Sequence, residues 1–283
     1  MWILLLIVHL IGNTGYNIEL RRAAFKDKVD SLFLVAIMAT SIAIPAVPGI
    51  IITGFDFSFF NVKTSVLYAG AIIVTLSFHL FNVKALEYTE ASFYTFLYNL
   101  RICFTTVLGI VFLREEIVPL RILGGGIVLV SAILLIGKVR TGAKGIIYSI
   151  LAGAFVSLTN LFDKYLITQM GYTDYIFSTS IMIAVVIWVI VIARGLKNVD
   201  WSVLKTKANA SLMFTRCISA YGFTASLAAG GILSTATYIS SLSFITTMIC
   251  AVIFLKERDS LKRKTIAAAI ALVGVTLIYI ASI

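Results

Sequence analysis

The chain has 283 residues, 60% of them hydrophobic and only 13% charged, whereas an ordinary soluble domain is about half apolar and a quarter charged. That composition excludes a soluble enzyme or binding module. The formal charge of +10 would suit nucleic acid or acidic lipid, but the cations fall mainly in short stretches between apolar segments, where they report membrane topology.

A spanning helix takes about 20 apolar residues, and long unbroken apolar runs argue against the alternating strands of a membrane barrel. The sequence therefore predicts an all-α integral membrane protein of ten transmembrane helices. The spans fall near 2–20, 31–52, 65–85, 91–113, 117–137, 144–168, 175–194, 208–228, 232–255 and 264–282. The first span lacks a basic leader and a small-residue cleavage site, so it reads as a membrane helix and not as a signal peptide. In it His9, Asn13 and Asn17 recur every four residues on one face, flanked by Tyr16, with Glu19 near its end. The second span holds Pro45, Pro48 and Gly49, which should kink or loosen it. The third carries His79 and Asn82, and the fourth aligns Tyr94, Tyr98, Arg101 and Thr105 on one helical stripe.

Gly124, Gly125 and Gly126 make the fifth span a close-packing helix. The sixth contains Ser157, Asn160, Asp163 and Lys164, the last two as a pair or at the interface. Arg216 sits near mid-depth in the eighth, and the ninth offers Thr237, Tyr238 and Ser241. Cys103, Cys217 and Cys250 lie singly in apolar runs, which suggests packing and neither a disulfide nor a zinc site. No cofactor and no metal are expected.

A shift of 142 positions lays Phe112-Leu113-Arg114-Glu115 on Phe254-Leu255-Lys256-Glu257 and Arg121 on Arg263, and pairs Ser92 with Ser234 and Thr95 with Thr237. Polar matches at one offset point to a duplication, residues 1–138 against 139–283. Five spans per half is an odd number, so the second half must be inverted. The basic loops agree: Arg21, Arg22, Lys26 and Lys28 follow the first span, Arg194 and Lys197 the seventh, and Lys256, Arg258, Lys262 and Arg263 the ninth. The cytoplasmic excess of Lys and Arg then leaves both termini outside. Glu115 and Glu257 are expected to close their loops against Arg114, Arg121 and Arg263.

With the doubled Phe-Leu-x-Glu turn, each followed by a small-residue helix (Gly124 to Gly126; Ala267 to Ala269 with Gly274), the sequence resembles the drug/metabolite transporter superfamily, specifically its EamA-like members. It departs from their pattern at Ile102 and Phe244, where a proline is often found. The resemblance implies a basket of helices around a central cavity that moves small metabolites or drugs without nucleotide hydrolysis. A prokaryotic plasma membrane is the expected location.

Polar groups at mid-membrane are costly and face the bundle interior or water. Arg101 and Arg216, whose planar forks suit carboxylate or phosphate, are the leading substrate candidates, with Asn13, Asn17, His79, Asn82, Tyr94, Tyr98, Asn160, Tyr238 and Ser241 beside them. The structural alternative is neutralisation of either arginine by Glu19, Glu87, Glu90 or Asp163. His9, Glu19 and His79 are the candidates for ion coupling. The leading function is a gradient-driven transporter of anionic or zwitterionic metabolites such as amino acids; a flippase for lipid or lipid-linked sugar and a multidrug exporter are the alternatives, and a membrane enzyme lacks the clustered acids and histidines it would need. The expected partners are a small-molecule substrate and membrane lipid, with a homodimer left open and no nucleic acid.

Overall fold

Several helices begin where a side chain can take up the orphan N–H groups of a first turn. Asp30 accepts from the N–H groups of Leu32 (3.1 Å) and Phe33 (3.2 Å) and opens α2 (Ser31–Thr53). Asn61 and Thr64 exchange bonds in a capping box that opens α3 (Val62–Tyr88). Between α7 (Ala143–Met170) and α8 (Tyr172–Arg194) the chain turns on Gly171 alone, at φ +83°, a conformation that a side chain resists. Pro45 and Pro48 lie inside α2 without breaking it.

The computed structural model describes residues 2–59, 61–113, 118–136, 142–196, 199–229, 233–257 and 261–281, and the regular structure among them is helical. The other helices are α1 (Trp2–Arg21), α4 (Ala91–Tyr98), α5 (Arg101–Leu113), α6 (Pro119–Ile136), α9 (Lys207–Ala228), α10 (Leu233–Ser241), α11 (Ser243–Cys250) and α12 (Leu261–Ile280). Seven helical stretches are long and apolar enough to cross a membrane, and 122–134 and 239–255 are shorter apolar helices. Polar residues such as Asn209, Thr215 and Arg216 lower the apolar content of α9, which is outside that set. The protein is a multi-pass helical membrane protein.

The stretch expected as one fourth span is two helices, interrupted at Asn99 and Leu100, and Leu242 likewise separates α10 from α11. The single stripe predicted through Tyr94, Tyr98, Arg101 and Thr105 is therefore corrected: Arg101 opens a new helix, and Thr105 donates to Ser157 (3.1 Å) outside the site. No proline or glycine marks the break. It is held from behind by α7, where a Cβ on Gly153 would come within 3.3 Å of the Tyr98 carbonyl and 3.4 Å of the Arg101 nitrogen. The Ser157 hydroxyl donates to the Arg101 carbonyl at 2.9 Å.

The helices pack chiefly in pairs: α1 on α9, α2 on α8, α3 on α7, and α6 on α12. Lipid offers no hydrophobic drive for helices to associate, so close backbone approach through small residues has to supply the contact. A Cβ on Gly12 would lie 2.8 Å from the Ser219 nitrogen, one on Gly222 3.0 Å from the His9 nitrogen, and one on Gly49 2.3 Å from the Phe177 ring. Gly124 and Gly274 face each other, each Cβ position within 2.6 to 2.7 Å of the partner carbonyl.

Gly274→Val and Gly124→Val should each cost about 1–3 kcal/mol through overpacking, read as a lower melting temperature in detergent. Gly126→Ala, with nothing within 4 Å of its Cβ position, should leave melting unchanged. Equal melting of all three variants and the parent would contradict the α6–α12 contact.

Candidate functional site

Side chains from α1, α2, α3, α4, α5, α7, α8, α9 and α10 line a cavity of about 160 Å³, room for on the order of ten waters. Of the residues singled out in the sequence, His9, Asn13, Asn17, His79, Asn82, Tyr94, Tyr98, Arg101, Asn160 and Arg216 line it. Ser241, which is fully buried, and Glu19 are not among the residues that line it. The Tyr238 side chain lies outside the described residues.

Arg101 is held from three directions. Its Nη1 donates to the Tyr98 hydroxyl (3.2 Å), Nη2 donates to Ser240 Oγ (3.1 Å), and the guanidinium lies 4.7 Å from the Tyr98 ring centroid. Behind Ser240 stands His9. Its Nδ1 is 2.7 Å from the Ser219 carbonyl, which can only accept, so the ring proton is on Nδ1 and Nε2 receives the Ser240 hydroxyl proton at 2.8 Å. Ser240 thus gives its one proton to His9 and a lone pair to Arg101. The Nε of Arg101 is buried with no hydrogen-bond partner among the described residues.

Arg216 is arranged similarly from the opposite wall. One Nη2 proton goes to His79 Nε2 (3.3 Å), which must therefore be an acceptor, and the guanidinium lies 5.1 Å from the Tyr16 ring centroid. The Tyr16 hydroxyl accepts from Asn82 (2.6 Å) and donates to the Met38 sulfur, which fixes the ring. The Nε of Arg216 and Nδ1 of His79 are buried without partners among the described residues.

Among the described residues neither arginine forms an ion pair; three of the four proposed acidic neutralisers have other company, and the fourth, Glu19, keeps a buried Oε2 without a partner among the described residues and does not line the cavity. Glu90 pairs with the fully buried Lys264. Glu87 pairs with Lys84 at 2.8 Å and accepts from Ser31. Asp163 accepts the Tyr175 hydroxyl proton and lines the cavity, where the sequence suggested a pair with Lys164 or a place near the interface.

Glu257 also departs from expectation. Its carboxylate accepts from the N–H groups of Ala91 (3.1 Å) and Ser92 (3.3 Å) at the start of α4 and from Arg21 Nε at 3.3 Å, not from the nearby Arg263. Glu115 and Arg114, its counterparts in the first half, lie outside the described residues. Arg21 continues to the carbonyls of Leu86 (2.6 Å) and Glu87 (3.3 Å). Arg194 meets Asp30 at 3.2 Å, and Ser31 donates to Glu87, so the ends of α1, α3 and α8, the start of α2 and the chain at Glu257 gather at one end of the molecule. Burial pushes the Glu257 carboxyl above the usual carboxylate range, although the two amide donors and Arg21 pull it down. A buried pair of this kind fixes geometry more than it adds stability.

The cavity also takes Thr75, Thr159, Tyr175, Thr179, Ser180, Ser219, Thr224 and Ser240, which sequence reasoning missed. No sequence signal separates them from filler. Thr179 and Ser180 donate to carbonyls of their own helix at 2.6 Å, so a hydroxyl in an apolar span needs no cavity to be satisfied.

Polar side chains thus converge on the interior cavity of a helical membrane bundle. Residues 1–137 match the model of the EamA-like transporter family. The match bears out the resemblance read from the Phe-Leu-x-Glu turns to the drug/metabolite transporter superfamily, whose EamA-like members are membrane transporters and not enzymes. No curated protein matches the sequence. Twenty-eight chains of solved structure match. One crystal structure of a protein superposes with a TM-score of 0.67 at 14% identity, over 95% of this chain and 94% of that one. That similarity shows a shared fold over 95% of this chain and carries nothing about substrate.

Glu257→Ala should lower stability by about 3 kcal/mol, the low end for breaking a buried pair, because Arg21 keeps its two carbonyl acceptors. A thermal melt in detergent checks this; an unchanged melting temperature would show that the α4 cap and the pair contribute nothing.

Proposed function

We propose that the chain is a gradient-driven transporter of small organic anions or zwitterions, amino acids among them, that alternates access around the Arg101–Arg216 cavity. One observation carries the reading. Two guanidinium groups line the same interior cavity, neither is neutralised by a carboxylate among the described residues, and each keeps a buried Nε without a partner. Buried cations are retained at such cost where a counter-charge arrives from outside, and the planar fork suits carboxylate. Tyr98 and Tyr16 beneath the two guanidiniums hold them in place and offer apolar faces to an organic ligand.

The alternating mechanism assumes ten helical spans in two inverted halves, 1–138 and 139–283. The helix pairing supports it: exchanging the halves turns the α1–α9 contact into the α7–α3 contact and returns α2–α8 and α6–α12 to themselves. The interruption at Leu242 falls 142 residues after Leu100, the second residue of the Asn99-Leu100 break, the same offset as the Phe-Leu-x-Glu turns. Inverted halves of this kind rock about a central site in other carriers.

Thermal-shift screening of purified protein against amino acids, carboxylates, phosphorylated metabolites and cationic drugs tests the reading. An anionic or zwitterionic solute at about one hundred times its Kd should stabilise the parent by about 2.7 kcal/mol, and Arg101→Ala and Arg216→Ala should abolish that shift while keeping the helical circular dichroism. Stabilisation by cationic drugs alone, or shifts untouched in both variants, would overturn it.

A further inference from the structure

Asp163 lines the same cavity as the two arginines, and anion binding gives it no task. It sits on α7 seven residues before the helix ends at Met170, partly buried. Its Oδ1 accepts the phenol proton of Tyr175 from α8, and Tyr68 of α3 stands near that phenol. Arg101 of α5 and Arg216 of α9 face the cavity from its other walls, and Lys164, next in the chain, is exposed.

Both histidines of the cavity are spoken for. His9 is bonded at both ring nitrogens, one hydroxyl away from Arg101, and His79 accepts directly from Arg216. A proton added to either imidazole would set a second cation against a guanidinium. Glu19 is outside the cavity lining.

We propose that Asp163 is the group that carries the coupling proton, a proposal that rests on the transport reading above. With the cavity facing one side of the membrane, the carboxylate takes a proton from cavity water at Oδ2 while Tyr175 holds Oδ1; with the cavity facing the other side, it returns that proton to water. The coupling is electrostatic. An ionised Asp163 opposes an anion in the cavity it shares with the arginines, and a protonated one leaves the two guanidiniums unopposed. Proton and anion therefore bind together, and by reciprocity each raises the affinity of the other, on the order of tenfold for an ordinary coupling energy.

The test uses proteoliposomes of the full chain loaded with radiolabelled L-glutamate, pyruvate and glycerol phosphate as probes, under an imposed proton gradient, with infrared spectra of the same samples at acidic and alkaline pH. The parent should accumulate a probe with the gradient. Asp163→Asn should retain probe exchange, lose gradient-driven accumulation and lose the pH dependence of exchange; Tyr175→Phe should keep coupling with a displaced pH profile. Accumulation by Asp163→Asn equal to the parent overturns the proposal. Loss of exchange in Asp163→Asn with normal folding also overturns it, because Asp163 then holds the substrate itself. Should the parent carry none of the probes, the anion reading fails for those solutes, and the infrared spectra decide the proton site alone: a carboxyl band that titrates in the parent and is missing in Asp163→Asn supports it, and identical spectra refute it.

Discussion

The structure turns on the cost of keeping two guanidinium groups inside a bundle whose outer face is lipid. A cation at that depth is tolerated only where dipoles, rings or water replace its hydration. Arg101 finds a hydroxyl, a phenol and a ring face, and Arg216 finds an imidazole nitrogen and a ring face. These partners are neutral, so they orient the charge without cancelling it. The cavity is left with a positive wall. A carboxylate in place of Ser240 or His79 would have made a stable strut and removed the site.

The backbone supplies this arrangement through a few close approaches. The break at Asn99 and Leu100 places Arg101 at the first turn of α5, aimed back beneath Tyr98, and Gly153 with Ser157 on α7 holds the broken segment in place. Gly12 and Gly222 bring α1 and α9 together closely enough for His9 to reach the Ser219 carbonyl. At one end of the molecule Glu257 ties Arg21 to the start of α4, so the helix that carries Tyr94 and Tyr98 is capped by a residue 165 to 166 positions away. Movement of the segment after α11 is thereby connected to the aromatic floor of the cavity.

Much of this was legible in the sequence, for identifiable reasons. A polar side chain in an apolar run has few places to go, and the cavity collects His9, Asn13, Asn17, His79, Asn82, Asn160 and both arginines as that rule anticipates. The helix breaks were not legible, because neither Asn99-Leu100 nor Leu242 carries the proline or glycine that usually marks one. For Asp163 the sequence shows only Lys164 beside it, while the hydrogen bond from Tyr175 on the next helix is not visible there. Glu257 was assigned to the nearby Arg263 for the same reason: sequence neighbours are visible, and a contact with Arg21, 236 positions away, is not.

The central claim is a water-filled cavity with a positive wall, and its charge is directly measurable without knowing the substrate. In a background with Cys103, Cys217 and Cys250 replaced by serine, Thr75→Cys places a thiol on the cavity wall, at a partly buried position. Modification by an anionic methanethiosulfonate should outpace modification by its cationic counterpart, and the preference should disappear when Arg101→Gln and Arg216→Gln are combined. A thiol that reacts with neither reagent, or faster with the cationic one, would contradict the account.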